Sequence, residues 1–380
     1  MSFATLFALS AALHLYIGAR VGPALPDALP STMFTLLLVT SALCVPMGLL
    51  ARRLAKPPAA DTLAWAGLLF MGLFSSLLVF TLLRDALLLV AQLVAWVAPM
   101  RVPLDDLQTA SAAAVPLLGL AVTLLGYVNA RRTARVVTIE IPIAGLPPAL
   151  HGFRIVQITD IHVGPTIGER YVEAIVEAVN RLKPDLVAIT GDLVDGGVIE
   201  LARHVAPLQR LVSRHGSFFV TGNHEYYSGV EAWMVHLQRL GIEVLQNRHV
   251  VIEQDGARLV LAGVSDYSAG HFDASHRSDP QAALAGAPAD AGAKVLLAHQ
   301  PRSAVAAAKA GFDLQLSGHT HGGQFLPWNF FVRFQQPFTA GLHAIDQLRI
   351  YVSRGTGYWG PPKRLGAPSE ITEVRLVSTA

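Results

Sequence analysis

From Thr62 to Leu83 the chain carries no charged side chain, and the stretches at about 2–19, 33–51 and 109–129 share that property. A bilayer core of roughly 30 Å is crossed by about 20 apolar residues in helical form. The sequence therefore predicts about four membrane spans within the first 130 residues. The third stretch continues through "RDALLLVAQLVAWV" to about residue 97. Arg84 and Asp85 are adjacent there, with no Gly or Pro to reverse the chain. One span with an extension along the interface is expected; a fifth span at 86–98 is the alternative and would change the topology. Residues 2–19 lack a basic leading segment and a small-residue cleavage site, so a retained helix is expected rather than a signal peptide. Pro116 is tolerable inside a spanning helix. His14, a lone histidine near a helix end, is assigned no role.

Basic residues in short loops set orientation. "ARRLAK" (51–56) and "NARRTAR" (129–135) are the basic segments, whereas loops 20–32 and 99–108 carry one Arg each beside acids. Four spans then put the N-terminus and the C-terminal domain on the cytoplasmic side. The expectation is a multi-pass protein of the bacterial inner membrane whose partner is the bilayer.

The rest of the chain has a different grammar. The whole sequence is 52% hydrophobic and 15% charged, with mean hydropathy +0.44, but the apolar excess is confined to residues 1–130. Net charge is +2, which gives no basis for bulk nucleic-acid binding. Cys44 is the only cysteine, so neither an intrachain disulfide nor a cysteine zinc site is available. "VVTIEI" (136–141) reads as a strand. "FRIVQITD", "DLVAITGD", "SFFVTGNHE", "AKVLLAHQP" and "FDLQLSGHTH" each pair an apolar strand with a polar loop. "ERYVEAIVEAVNRLK", "IELARHVAPLQRLVS" and "GVEAWMVHLQRL" have helical periodicity. "HVVIEQ", "ARLVLAGVSD", "RIYVSRGTG" and "ITEVRLVS" add strands. This alternation predicts an α/β core. Ligands of such cores bind beyond the carboxyl ends of the strands. The expected division is 1–130 for the helical transmembrane domain, 131–149 for a linker and first strand, and 150–380 for the α/β domain.

Eight polar residues fall at those strand ends: Asp160, His162, Asp192, Asn223, His224, His299, His319 and His321. His and carboxylate ligands suit Mn, Fe or Zn. In an extended segment residues i and i+2 share a face. On that basis His319 and His321 reach two neighbouring ions, and Asp160 and His162 reach one. Taken alone, a Gly-Asp pair is usually a turn and a single histidine is usually structural. Five such blocks in order make coincidence a poor explanation.

The ordered set D-x-H, G-D, G-N-H-E, H and G-H-x-H resembles the calcineurin-like metallophosphoesterase superfamily over roughly residues 150–378. "LAHQP", "LQLSGHTHGGQF", "YVSRGTG" and "GAPSEIT" resemble its membrane-associated bacterial branch, and the N-terminal spans resemble the architecture of transmembrane proteins with a metallophosphoesterase domain. The resemblance implies an αββα sandwich. It implies two divalent metal ions per chain, with Mn foremost and Fe, Zn or Mg as alternatives. Asp160, His162 and His321 would bind the first ion and Asn223, His299 and His319 the second. Asp192 would bridge them, and His224 would stand beside the substrate phosphate as the catalytic residue. A hydroxide shared by the ions would cleave a phosphodiester or pyrophosphate bond. The expected substrate is a phosphate ester, with a lipid-linked ester preferred; no protein partner is inferable.

Three further residues are expected at the substrate: Phe330 and Phe331 in the aromatic run "FLPWNFFVRFQQPF", and Arg354. Exposed aromatic patches mark contacts and membrane interfaces, although packing on the domain's own core is the competing reading. Lys363 and Arg364 in "SRGTGYWGPPKRLG" could meet a second phosphate, but a solvated loop is the expectation. Glu225 would orient His224 or be an exposed loop acid. Asp266 has no assigned role. The competing functions are a non-catalytic membrane scaffold with structural metals, and a phosphatase or nuclease acting on a soluble substrate.

Overall fold

The computed structural model describes residues 2–56, 58–97 and 102–379. The chain forms two compact units, one of Met1–Arg131 with Gly360–Leu365 and one of Arg132–Trp359 with Gly366–Ala380.

The first unit is helical. Its elements are α1 (Phe3–Val21), α2 (Ala28–Leu49), the single turn α3 (Ala51–Leu54), α4 (Ala59–Val97) and α5 (Leu104–Arg131). Four of these are long and apolar enough to cross a membrane. α4 has 39 residues, about 58 Å at 1.5 Å per residue, and passes Arg84 and Asp85 without reversing. Among the described residues the alternative of two hairpinned spans therefore does not occur; Arg101, counted in loop 99–108, lies outside them. His14 is a packed histidine, with Nδ1 2.8 Å from the Ser10 carbonyl and Nε2 2.8 Å from the Ser41 hydroxyl. Small residues let α2 and α4 approach closely: a β-carbon on Gly67 would strike the backbone of Gly48 and Cys44. Close backbone approach of this kind drives helix association where no hydrophobic force operates between helices.

The segment Gly360–Leu365 also lies in this unit. The Lys363 ammonium donates to the Gly72 carbonyl (2.8 Å) and the Ser76 hydroxyl (2.6 Å). The Arg364 amide donates to the Gly126 carbonyl at 2.9 Å. Lys363 and Arg364 are 2% and 1% exposed, which corrects the solvated loop expected from sequence. Local composition could not reveal partners on helices more than 200 residues away.

The second unit is built on two six-stranded sheets. In chain order its elements are β1 (Arg135–Ile143), β2 (Arg154–Ile158), α6 (Glu169–Arg181), β3 (Leu186–Thr190), α7 (Val198–Val205), β4 (Ser217–Val220), α8 (Asn223–Ser228), α9 (Val230–Arg239) and β5 (Ile242–Val244). There follow β6 (Arg248–Gln254), β7 (Ala257–Gly263), α10 (Pro280–Ala283), β8 (Ala293–Leu297), α11 (Ala304–Ala310), β9 (Leu314–Ser317), α12 (Trp328–Gln335), β10 (Gly341–Ile345), β11 (Leu348–Val352) and β12 (Glu370–Ser378). The sheet orders are β1-β12-β2-β3-β4-β5 and β10-β11-β9-β8-β7-β6. β2 to β5 run parallel, as do β7, β8, β9 and β11. Ile155, Leu186, Ala188 and Phe218 of one sheet pack against Leu259, Leu261, Val295, Leu297 and Leu314 of the other. The opposite face of the second sheet, with Leu296, Ala298 and Ile350, packs on Ala304 and Ala307 of α11. On the outer face of the first sheet α6 buries Val172, Ile175, Val176 and Val179, the stripe its periodicity predicts. The architecture is the αββα sandwich.

The segment "IELARHVAPLQRLVS" is shorter as helix than expected: α7 stops at Val205 and a 3-10 turn follows over Ala206–Arg210. Pro207 lacks the amide that would continue the ladder.

The close crossing of α2 and α4 generates a test. Gly67→Leu should destabilise the helical unit by about 1–3 kcal/mol through overpacking, read as a lower Tm of the detergent-solubilised chain; an unchanged Tm would show that the crossing does not matter to stability.

Candidate metal centre

The parallel strands deliver their following residues to one edge of each sheet. β2 ends before Asp160 and His162, and β3 before Asp192. β4 leads into α8, whose first residues are Asn223 and His224, so the Gly-Asn-His-Glu motif opens a helix. β8 precedes His299, and β9 precedes His319 and His321. Five of these residues have left-handed backbone: Asp160 (φ 54°), His162 (55°), Asp192 (50°), His319 (71°) and His321 (51°). Such conformations cost on the order of 1–3 kcal/mol each and persist only where the surroundings enforce them. The extended alternation expected of "GHTH" is thus replaced by left-handed turns. They send His321 toward Asp160 and His162, and His319 toward Asp192 and His299.

Three sets of side chains hold their ligand atoms within 4.8 Å of one another: Asp160, His162 and His321; His162, Asp192 and His224; and Asp192, His299 and His319. The Nε2 atoms of His162 and His321 are 3.0 Å apart. His299 Nε2 lies 3.1 Å from His319 Nδ1 and 3.1 Å from Asp192 Oδ2. The same Asp192 oxygen is 3.8 Å from His162 Nε2 and 3.9 Å from His224 Nε2. Asn223 Oδ1 is buried with no hydrogen-bond donor.

The tautomers follow from the other ring nitrogens. His299 Nδ1 donates to the Thr190 carbonyl at 2.8 Å, which leaves the Nε2 lone pair of the neutral ring turned inward. His162 Nδ1 donates to Asp195 Oδ1 at 2.9 Å with the same result. Imidazole lone pairs, carboxylate oxygens and an orphaned amide oxygen converging at such distances call for cations. The residues fit divalent ions, and the set of nitrogen and oxygen donors suits borderline and hard metals.

With no cation bound, the burial of His299 is outweighed by the Asp192 carboxylate, which raises the ring well above its ordinary value, so a proton on Nε2 takes the place that a cation would fill. Burial opposes the charge on Asp192, yet His299 and His224 hold its carboxyl well below the ordinary range. Burial and the neighbouring His299 push His319 down to about 3, which keeps that ring neutral. His224 is pushed up to about 9 because the Asp192 and Asp195 carboxylates outweigh its burial.

Asp195 was not singled out from sequence, although it lies three residues after Asp192 in "GDLVD". Its Oδ1 accepts from both His162 Nδ1 (2.9 Å) and His224 Nδ1 (2.7 Å), and the two rings meet edge to face at 4.6 Å. Glu225 has neither expected role. It is fully buried and accepts from the amides of Gly222 (2.6 Å), Leu193 (2.7 Å) and Asp192 (3.0 Å). It therefore ties the β3 and β4 loops together, while Asp195 orients His224. Both Asp266 carboxylate oxygens accept from the Gln300 side-chain amide, each 3.1 Å from Nε2, and so Asp266 positions the residue after His299. Gly318 is required by close approach, since a β-carbon there would collide with the Asp160 carboxylate and the Thr159 side chain.

The sequence pattern described as calcineurin-like phosphoesterase matches residues 153–323. A bovine (Bos taurus) protein named transmembrane protein with metallophosphoesterase domain is 40% identical over 322 residues, 80% of this chain and 72% of that protein. This chain belongs to the calcineurin-like phosphoesterase family. The zebrafish (Danio rerio) protein of the same name is 41% identical over 66% of this chain and 59% of its own length. An uncharacterized metallophosphoesterase of Campylobacter jejuni is 35% identical over 65% and 64%. The chain is a metal-dependent phosphoester hydrolase and a multi-pass membrane protein.

Around the centre of this phosphoesterase lies a series of aromatic rings. His224 and Trp359 are 6.2 Å apart, Trp359 and Trp328 6.1 Å, and Trp328 and Phe331 6.2 Å. Phe330 and Phe331 stand half exposed on α12 and Phe334 is 81% exposed. The Arg333 guanidinium lies 5.9 Å from the Phe330 ring centroid. Arg354 packs beside Gly322, next to His321, and its Nη1 is 3.1 Å from Glu370 Oε2.

The double acceptor role of Asp195 generates the second test. Asp195→Asn should lower metal affinity about 10–100-fold by releasing the His162 ring, measured by Mn²⁺ titration calorimetry; unchanged affinity would show that His162 needs no such support.

Proposed function

We propose that this phosphoesterase uses a pair of divalent cations to cleave a phosphodiester or pyrophosphate bond, with a lipid-linked ester as substrate. Asp160, His162 and His321 would hold one cation and Asn223, His299 and His319 the other, with Asp192 shared and Mn the foremost candidate. The observation that carries the reading is the position of Asp192 Oδ2, which faces His299 of one set and His162 of the other at 3.1 and 3.8 Å. Bound cations would polarise the phosphoryl oxygens and lower the pKa of water toward neutrality.

The chain's own residues then have definite tasks. Asp195 fixes the ring of His162 and, through Nδ1, that of His224. Because its Nδ1 is held by Asp195, His224 would present Nε2 to the substrate and pass a proton from that atom to the departing oxygen. Asn223 contributes a neutral oxygen, so the centre keeps net positive charge for an anionic ester. Arg354, part-exposed beside the loop of His321, would hold a non-reacting phosphate oxygen. The rings from Trp359 to Phe331 offer an apolar surface that begins at His224 and ends at an exposed helix, and this supports a lipid-linked substrate contacted by Phe330 and Phe331. Arg52, Arg53, Lys56 and Arg131 support a cytoplasmic orientation of the catalytic domain in a bacterial inner membrane. In the helical unit the Arg53 guanidinium lies over Phe3 at the start of α1, and that of Arg131 over Trp65 near the start of α4.

The detergent-solubilised chain should hydrolyse bis(p-nitrophenyl) phosphate with Mn²⁺ and lose that activity to a chelator. His224→Ala should retain metal by elemental analysis and lose about 10²–10⁴-fold in kcat, the usual magnitude of general acid catalysis. A variant with full turnover would remove the acid role, and a chelator-resistant activity would remove the metal reading. Joint replacement of Phe330 and Phe331 by Ser should lower kcat/KM about tenfold on a lipid-linked diester and leave the chromogenic diester unaffected. Equal losses on both would argue against a lipid substrate.

A further inference from the structure

A charged cavity in the helical unit plays no part in the chemistry above. α1 ends, the turn through Pro23 and Pro26 follows, and α5 begins, all at the level of Arg84 on α4. These elements surround a cavity of about 780 Å³, within the range of roughly 300–1,000 Å³ typical of small-ligand sites. None of its lining residues belongs to the metal centre.

Its charges are not equivalent. Arg20 and Asp85 neutralise each other, with Arg20 Nε 3.0 and 2.9 Å from the two carboxylate oxygens and the Tyr16 hydroxyl donating to Asp85 at 2.6 Å. Arg84 is different. It is 6% exposed and its short bonds run to neutral oxygens: Nη1 to the Arg20 carbonyl (2.9 Å), Nη2 to the Gln108 carbonyl (3.2 Å) and Nε to the Ser111 hydroxyl (3.1 Å). Its contact with Asp85 is longer, at 3.8 Å. A guanidinium has five N–H donors, so among the described residues two remain without a hydrogen bond on a side chain that lines the cavity. A buried cation where membrane helices end is costly and marks a binding site. Asp105, also in the lining, is exposed and, among the described residues, has no ion pair. Leu25, Leu88 and Leu89 give the lining an apolar side. Beyond the cavity α4 continues with exposed Leu93, Trp96 and Val97. A deep positive group, an outer negative group and an apolar wall match an amphiphile whose head carries both signs.

We propose that this cavity binds a phospholipid whose head bears a phosphate and an ammonium group, with the phosphate on Arg84 and the ammonium at Asp105. The test uses the full chain in detergent, titrated with phosphatidylethanolamine, phosphatidylglycerol and free phosphoethanolamine, with binding read by native mass spectrometry. Phosphatidylethanolamine should bind about three- to fivefold more tightly than phosphatidylglycerol, the scale of one exposed ion pair. Free phosphoethanolamine, which cannot use the apolar wall, should bind at least about tenfold more weakly than the lipid. Arg84→Gln should cut lipid binding about tenfold, the worth of charge-assisted hydrogen bonds. Because that variant disturbs a buried network, Thr109→Trp fills the cavity from an exposed lining position and should give a similar loss while hydrolysis of bis(p-nitrophenyl) phosphate persists. Asp105→Asn should erase the preference between the lipids, and Asp106→Asn, outside the lining, should preserve it. Binding indifferent to Thr109→Trp, equal affinity for the two lipids, or phosphoethanolamine binding as tightly as the lipid would each overturn the proposal.

Discussion

The catalytic unit turns on the carboxylate of Asp192. It is 2% exposed, and an ionised carboxylate removed from water costs several kcal/mol unless it is compensated. The compensation comes from around it: Oδ1 accepts the His224 amide at 2.9 Å, and Oδ2 faces His299, His162 and His224. One buried anion therefore draws groups from β3, β4, β8 and the β2 loop to a common point. Remove its charge and the histidines lose their reason to converge.

Convergence requires a backbone that would not adopt this form unaided. Five of the candidate ligands sit at positive φ, and the strain is held by hydrogen bonds inside the same cluster. The Asp160 carboxylate accepts the His319 amide at 3.0 Å with each oxygen. Glu225 accepts four amides from two loops. The acids at this edge thus work twice, as candidate metal ligands or supports and as fasteners of the loops that carry the remaining ligands. Their number is greater than cation binding alone would need.

Much of this was legible because the decisive residues lie beside strong patterns. β2, β3, β8 and β9 are short, almost wholly buried runs rich in Leu, Ile and Val, and each leads into a ligand motif. With His224 after β4, seven of the eight residues expected at strand ends fall within the three clusters of potential ligand atoms. What escaped notice had weak local signals. β5 has three residues, and β10 is a half-exposed edge strand, so neither carries a run of buried side chains. α12 follows Pro327 and reads as an aromatic loop, because its partly exposed rings obscure helical periodicity. Asp195 looks like a turn residue until the two imidazoles it joins are placed in space. Glu225 was visible as an acid next to His224, but its direction was not, since the capping geometry of α8 turns it away from the histidine toward loop amides.

The burial of Lys363 and Arg364 bears on how the molecule assembles. The ribosome releases the four long helices more than 200 residues before the Gly360–Leu365 stretch that joins them in one unit. Until that late stretch arrives, the Gly72 and Gly126 carbonyls and the Ser76 hydroxyl lack the donors they meet in the finished chain. The helical portion thus inserts before it is complete, and a nascent polypeptide stalled before Gly360 would lack the Lys363 and Arg364 contacts.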